Sequence, residues 1–136
     1  GVHMVIFEID FNSDEAIYMQ LRNQIILGIA TDQIQEGESL PSVRQMADHI
    51  GINMHTVNKA YSVLRQEGIL KLDRRKGAVI SLDTDKRKAL EIMRHDLRVL
   101  LAWGRCKEIS RREVHQLIDD IYAEYGEQDA SVYPDE

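Results

Sequence analysis

The sequence predicts a mainly α-helical fold with one small β-hairpin, followed by a separate pair of C-terminal helices. Three observations lead to this prediction. Apolar residues recur at helical spacing in five segments, two of these segments open with a Ser-x-x-Gln or Ser-x-x-Glu capping box, and one short stretch alternates with a period of two.

An apolar alternation near the start predicts a short strand or an extended lead-in with one buried face, formed by Val5, Phe7, Ile9 and Phe11. A first helix is expected from a cap at Ser13 and Asp14 to about Ala30. Its apolar residues recur every four positions, at Ile17, Leu21, Ile25 and Ile29.

A short second helix and a longer third helix follow a loop. Ser42 begins the second helix with a capping box that Gln45 completes, and Gly51 follows where a left-handed closing residue is expected. Asn53 is the predicted N-cap of the third helix, and Gly68 marks its end. The predicted inward face of this third helix consists of Val57, Ala60, Tyr61 and Leu64.

The period then changes from helical to alternating. Apolar residues alternate with others on both sides of a turn at residues 73–77, so a β-hairpin with a basic tip is the economical interpretation. Three helices followed by such a hairpin have the outline of a winged helix-turn-helix, which we assign to residues 5–82.

Two further amphipathic helices are predicted in residues 83–125, the first ending at Gly104 and the second beginning with the capping box of Ser110 and Glu113. Two helices cannot easily bury both apolar stripes alone. We therefore expect them to pack against the winged helix or against a second copy of the chain, and of these we predict a homodimer. Residues 126–136 are expected to form a flexible acidic tail. The candidate dimer-interface residues are Leu90, Met93, Leu97, Leu100, Leu101, Trp103, Leu117, Ile118, Ile121 and Tyr122.

Length and composition exclude several classes of protein. A chain of 136 residues has room for one compact domain or a small module with an appendage, but not for a large catalytic domain as well. The sequence lacks a Gly-rich phosphate loop and a Gly-x-Ser-x-Gly elbow, so no enzyme is expected. No stretch approaches the roughly 20 continuous apolar residues of a membrane span.

The remaining composition favours a cytoplasmic protein without cofactors. Cys106 is the only cysteine, which rules out an intrachain disulfide and favours a reducing compartment. Residues 1–4 are interpreted as a tag remnant and the start of the chain. The histidines have no close ligand spacing, so neither a metal nor another cofactor is expected at His49, His55, His95 or His115.

An excess of positive over negative charge is confined to one part of this acidic chain. The whole sequence carries 17 Lys and Arg against 23 Asp and Glu, for a formal net charge of -6. Residues 42–82 nevertheless carry seven basic and three acidic side chains, whereas residues 1–41 carry one basic and seven acidic. A local positive field of this kind attracts nucleic acid despite the net charge.

The third helix would then be the helix that enters the major groove of double-stranded DNA. Asn58 and His55 are expected to contact base edges, and Met54 a thymine methyl group. Thr56 and Lys59 are expected to hold phosphate oxygens. The full set of DNA-binding candidates adds the start of the second helix and the hairpin tip, and comprises Ser42, Arg44, Asn53, Met54, His55, Thr56, Asn58, Lys59, Arg74, Arg75, Lys76 and Gly77.

Each of these basic side chains has a simpler alternative. Arg44 is expected to reach the DNA backbone or a guanine, and the basic hairpin tip a phosphate or the minor groove, but either could be a solvated surface group. For the whole segment the alternative is a winged helix that binds another protein. That alternative predicts no sequence-selective DNA binding.

The segment LPSVRQMADHIGINMHTVNKAYSVLRQEGI closely resembles the DNA-binding signature of GntR-family bacterial transcription regulators. A Leu-Pro-Ser-x-Arg opening, a Gly before the turn, Thr-Val in the recognition helix and Ala-Tyr-x-x-Leu before a Gly recur in that signature. The lead-in IDFNSDEAIYMQLRNQI also resembles the first helix of the family, with Ala16 where proline is common. The two short C-terminal helices most resemble the YtrA-type subgroup, in which they form a dimerisation device.

The resemblance implies a dimeric transcription regulator, and we expect it to be a repressor that binds an inverted-repeat operator. Genes for regulators of this subgroup often lie beside ABC-transporter genes. Arg44, Thr56 and Gly77 match positions that face DNA in the family, and Asn53 and Lys59 match the subgroup's pattern. The departures are Met54, His55 and Arg75, which fall on base-contacting or wing positions and leave the operator sequence undetermined. An unidentified small-molecule effector is a further candidate partner.

Overall fold

The computed structural model describes residues 7–127. Within them the mainly α-helical class with a β-hairpin is confirmed, in the element order α1 Ile17–Ala30, α2 Val43–Ile50, α3 Met54–Gln66, β1 Leu70–Asp73, β2 Gly77–Ile80, α4 Lys86–Cys106 and α5 Arg111–Glu124. The interpretations of residues 1–4, of Val5 and of the tail beyond residue 127 lie outside the described residues.

The chain divides into two compact units, with the boundary in the sequence between Asp83 and Thr84. In the N-terminal unit, α1 packs on α3, α2 packs on α3, and α3 also contacts β1. All four predicted inward residues of α3 are buried. The largest fully buried side chains of the N-terminal unit are Leu21, Ile25, Met46, Val57, Leu64 and Ile80.

The lead-in to α1 contains no strand within residues 7–16, and residues 11–15 form turns and bends. Phe7 and Ile9 pack against the core, as the alternation predicts, but Phe11 is 61% exposed. The buried side chain of Gln20 explains the difference, because it accepts from the Asp10 amide at 2.9 Å and donates to the Asp10 carbonyl at 3.0 Å. The chain turns immediately after this anchor, where the Ser13 amide donates to the Asp10 carbonyl, and Phe11 lies within that turn.

The predicted cap of α1 is wrong. The helix begins at Ile17, and its N-cap, Ala16, provides no side-chain hydrogen bond. The Ser13 hydroxyl instead accepts from the Glu15 amide at 3.0 Å in a local turn, so it is engaged before the helix starts. The predicted end at Ala30 is confirmed.

The predicted chemistry of the helix-turn-helix is confirmed at each of its caps. The Ser42 hydroxyl accepts from the Gln45 amide while the Gln45 side chain accepts from the Ser42 amide, both at 3.1 Å. Gly51 closes α2 in the left-handed conformation, with φ 72° and ψ 40°. The side chain of Asn53 accepts from the His55 amide at 2.7 Å and so caps α3.

The wing is an antiparallel hairpin in which Leu70 pairs with Ile80 and Asp73 with Gly77. Its turn is held by the carboxylate of Asp73, which accepts from the amides of Arg75 and Lys76 at 2.8 and 3.0 Å. Leu70 is buried but Leu72 is 63% exposed, whereas Ala78, Val79 and Ile80 are all buried, so β2 contributes more of the hairpin to the buried interior than β1 does.

The C-terminal unit contains α4 and α5, and it corrects the prediction that Gly104 ends α4. The helix continues to Cys106, and Glu108 takes the left-handed position with φ 61°. The amide of Ile109 donates to the Gly104 carbonyl and that of Glu108 to Arg105, each at 3.0 Å, which is the Schellman pattern. Gly104 is buried against Ile109 rather than serving as the stop.

The predicted capping box of α5 is confirmed, because Ser110 and Glu113 exchange two hydrogen bonds of 3.1 Å. The apolar stripes of both helices are exposed, and every candidate interface residue is between 36% and 58% exposed. Within the described part of the chain, no helix combines the length and the apolar character that crossing a bilayer requires.

Candidate nucleic-acid interface

The recognition helix α3 buries one face and leaves the other open. With Val57, Ala60, Tyr61 and Leu64 turned into the core, the polar candidates on the opposite side remain accessible. Thr56 is half-buried, and the exposed ones are Asn53, Met54, His55, Asn58 and Lys59. These side chains are therefore available to a groove of DNA.

The capping bonds decide which atoms near the start of α2 and α3 remain free for a ligand. The side-chain oxygen of Asn53 is used by the His55 amide, so its NH2 group remains as a donor. The Ser42 hydroxyl accepts from Gln45 and keeps its own proton to donate. Arg44 is exposed and forms no ion pair within residues 7–127.

A partly buried hydrogen bond fixes α2 against α3. The hydroxyl of Tyr61, on the inward face of α3, donates to the Pro41 carbonyl at 2.7 Å. Pro41 directly precedes the Ser42 cap, so the first turn of α2, including Arg44, is held relative to the recognition helix.

One shallow groove brings three predicted residues together with two residues of α1 that were not predicted for the site. It has a volume of about 420 Å3 and is lined by Ile17, Tyr18, His55, Thr56 and Lys59. The Lys59 ammonium lies 4.2 Å from the centroid of the Tyr18 ring. Arg44, Asn58 and the wing residues do not line this groove. Helical periodicity carries no signal for Tyr18, because its contact is made between two separate helices.

The wing tip presents a compact basic surface. Arg74, Arg75 and Lys76 are exposed and follow one another in the turn that Asp73 holds. None of them forms an ion pair with another residue in the range 7–127. Gly77 has φ 75° and open space around it, so the backbone at the tip is accessible.

The charge of the N-terminal unit is organised around these groups. The one basic side chain of α1, Arg22, is neutralised by Glu67 through bonds of 2.6 and 2.8 Å. The basic candidates, in contrast, form no ion pair among the described residues, which leaves their field available to a polyanion. Over the same part of the chain, no group of three or more His, Cys, Asp or Glu side chains could hold a metal ion.

Comparison with known proteins identifies the family. Residues 14–80 match the model of the bacterial regulatory proteins, gntR family. The HTH-type transcriptional repressor YtrA of Bacillus subtilis (strain 168) is 31% identical over 121 residues, which are 86% of this chain and 92% of that protein. Two further bacterial transcriptional regulators match 52% and 54% of this chain. The matched segments cover only 59% and 60% of the lengths of those two proteins.

Solved structures agree with the fold. A transcriptional antiterminator from Listeria monocytogenes EGD-e superposes with a TM-score of 0.80 at 29% identity, covering 93% of this chain and 96% of that one. YtrA from Sulfolobus acidocaldarius, a GntR-family transcription factor, has a TM-score of 0.57 at 35% identity and covers 69% and 99% of the two chains. The chain therefore belongs to the GntR family of bacterial transcription regulators, within its YtrA-type subgroup.

Proposed function

We propose that this regulator is a homodimeric repressor that occupies a promoter by binding an inverted-repeat operator. The observation that carries the proposal is the open polar face of α3, presented by a helix-turn-helix whose caps and turn are fully formed. The name of the B. subtilis relative, a repressor, supports the direction of regulation.

The polar face of α3 suggests a division of roles. Asn58 and His55 contact base edges, and Met54, which is 44% exposed, meets a thymine methyl group. Thr56 and Lys59 hold backbone phosphates, which orient the helix without carrying sequence information.

The remaining candidates flank α3. Arg44 in the first turn of α2 takes a guanine or a phosphate, and the wing tip of Arg74, Arg75 and Lys76 takes the backbone or the minor groove. Charge on these groups is expected to make binding strongly dependent on salt, because each phosphate contact releases counterions.

The C-terminal unit supplies the dimer interface in this proposal. Its apolar side chains are too exposed for a stable isolated helix pair; Leu97 and Leu100 are 41% and 58% exposed. We expect Leu97→Glu to convert the dimer into a monomer, measured by sedimentation equilibrium. Leu27→Glu is the matched control, because Leu27 is 47% exposed but lies in the N-terminal unit. If the Leu97→Glu variant remained a dimer, the apolar face of α4 around Leu97 would not be the dimer interface.

An effector would have room in the same unit. A cavity of about 510 Å3 lies between α4 and α5, within the size range of small-molecule sites. Its lining combines apolar and cationic side chains, namely Leu101, Arg105, Ile109, Ser110, Arg111, Val114, His115 and Ile118.

Selection of bound fragments from a random DNA library tests the function. The wild-type protein is expected to enrich an inverted repeat, and Arg44→Ala to lose or weaken that enrichment. Arg94→Ala, which removes an exposed arginine from α4, serves as the control and should enrich the same repeat.

The competing function is a winged helix that binds another protein. It predicts that a verified dimer enriches no sequence and that its weak DNA binding is the same for every fragment. Enrichment by wild type and by Arg94→Ala, but not by Arg44→Ala, would exclude it.

A further inference from the structure

The contact between Lys59 and Tyr18 joins the recognition helix to the first turn of α1. The Lys59 ammonium lies over the Tyr18 ring at 4.2 Å from its centroid, within the range of a cation–π interaction. Lys59 forms no ion pair within residues 7–127. The Tyr18 ring is therefore the group that the Lys59 ammonium contacts in this part of the chain.

The groove around this contact has the chemistry of an anion site. The side chains that line it are those of Ile17, Tyr18, His55, Thr56 and Lys59, and none of them is a carboxylate. No polar group of these side chains makes a hydrogen bond to another residue in the described range. The Lys59 ammonium and the Thr56 hydroxyl, the two groups assigned above to phosphate, suit a single phosphodiester group at this groove.

The position of the groove favours DNA backbone over a free anion. His55 and Thr56 are the second and third residues of α3, the end of a recognition helix that lies beside base edges in the major groove. The phosphates that border the groove of DNA pass close to this end of the helix. A side chain on α1 can therefore reach the same phosphate only if it lies beside α3, as Tyr18 does.

We propose that Tyr18 belongs to the DNA interface, where its ring holds the Lys59 ammonium in this groove and the groove seats one backbone phosphate. A lysine stem is flexible, and fixing it on binding costs side-chain entropy. Lys59 restrained by the ring loses less of that entropy when the phosphate arrives. Tyr18 is thus a positioning residue, and this inference rests on the proposed DNA-binding function.

A double-mutant cycle tests the coupling. Wild type, Tyr18→Leu, Lys59→Met and the double variant are titrated against labelled duplex at several salt concentrations. Lys59→Met is expected to lower the affinity about tenfold and to flatten the salt slope by about one unit, because it removes one phosphate contact. Tyr18→Leu is expected to lower it about threefold, an effect that disappears in the Lys59→Met background. Independent, additive losses would overturn the proposal.

Two controls separate positioning from packing. Tyr18→Phe retains the aromatic ring and should bind within about twofold of wild type. Urea denaturation of each variant must show an unchanged midpoint, or its affinity must be compared at equal folded fraction. If Tyr18→Phe bound as weakly as Tyr18→Leu, the ring would not be the positioning group.

The same experiment distinguishes this inference from the proposed function. Phosphates are present in every sequence, so the coupling should appear with an unselected duplex as well as with a selected operator. In the free protein labelled with 13C-lysine, the Lys59 ε-methylene protons should be shifted upfield by the ring, and Tyr18→Leu should abolish this shift. Loss of sequence selectivity with the coupling intact would contradict the repressor function alone, and absence of the coupling on both duplexes would contradict the role of Tyr18.

Discussion

The hydroxyl of Tyr61 donates a 2.7 Å hydrogen bond to the carbonyl oxygen of Pro41. Burial raises the pKa of Tyr61, so the hydroxyl stays protonated and remains a donor at any physiological pH. Because Pro41 directly precedes the Ser42 cap, this bond sets the position of α2 on the recognition helix.

Replacing Tyr61 by Phe keeps the packing of the ring and leaves the Pro41 carbonyl without its partner. The free energy of unfolding should fall by about 1 kcal/mol, measured by urea denaturation with an unchanged m-value. Tyr125→Phe is the control, because the Tyr125 hydroxyl makes no hydrogen bond within residues 7–127. Equal stability of the two variants would contradict the role of this bond.

Two glycines should respond to alanine in opposite directions. Gly51 has φ 72° and open space around it, so Gly51→Ala should cost about 1 kcal/mol of unfolding free energy through backbone strain alone. Gly104 lies inside α4, and an added Cβ would lie 4.0 Å from Cβ of Ile109. Gly104→Ala should therefore raise the stability of its helix by up to about 1 kcal/mol.

Thermal and urea unfolding of the two glycine variants give the comparison. A stabilising Gly51→Ala would contradict the left-handed turn. A strongly destabilising Gly104→Ala would show that the approach of Ile109 is closer than ordinary contact.

The turn of the wing should depend on the charge of Asp73. The backbone amides of Lys76 and Arg75 hold the pKa of this carboxyl below its ordinary value of 3.8. Because the pKa is lower in the folded state than in the unfolded state, the contribution of the carboxylate is complete above pH 3.8 and is lost as pH falls through the folded-state pKa.

An NMR titration should show the amide protons of Arg75 and Lys76 moving together with a midpoint below 3.8. Asp73→Asn, which keeps an oxygen acceptor but cannot titrate, should remove this transition. A midpoint at or above 3.8 would mean that the carboxylate does not accept both amides in solution.

The ion pair between Arg22 and Glu67 should make a small, salt-sensitive contribution. Both guanidinium nitrogens in the pair bond to the carboxylate, at 2.6 and 2.8 Å, but the side chains are 27% and 38% exposed. Water and salt therefore screen them, and Glu67→Gln should lower the unfolding free energy by about 0.5 to 1 kcal/mol at low salt and less at high salt.

Glu91→Gln is the matched control, because its pair with Arg87 is 4.0 Å long and almost fully exposed. It should leave stability unchanged at any salt concentration. A loss for Glu67→Gln that does not diminish with salt would point to packing rather than charge.

Elements set by local chemistry could be predicted from the sequence. Ser42, Asn53 and Ser110 cap their helices, and Gly51 closes α2, because each effect involves residues within a few positions along the chain. The inward face of α3 followed from its period in the same way.

Features that depend on distant contacts could not be predicted. Phe11 turns outward because Gln20 anchors the preceding backbone. The error at Gly104 is a local one, because Glu108, only four residues further along, takes the left-handed position without being a glycine. The placement of Lys59 over Tyr18 requires two helices to pack. The roles of the DNA-binding candidates and of the dimer seam remain predictions.

Binding of the dimer to an inverted repeat is best measured with three duplexes. Half-sites obtained by selection are arranged as an inverted repeat, as a direct repeat with the same spacing, and singly, and each affinity is measured by fluorescence anisotropy. A two-fold dimer should bind the inverted repeat with two chains per duplex and at least about tenfold more tightly than the direct repeat. Equal affinity for the inverted and direct repeats would contradict a two-fold symmetric regulator that places one recognition helix in each half-site.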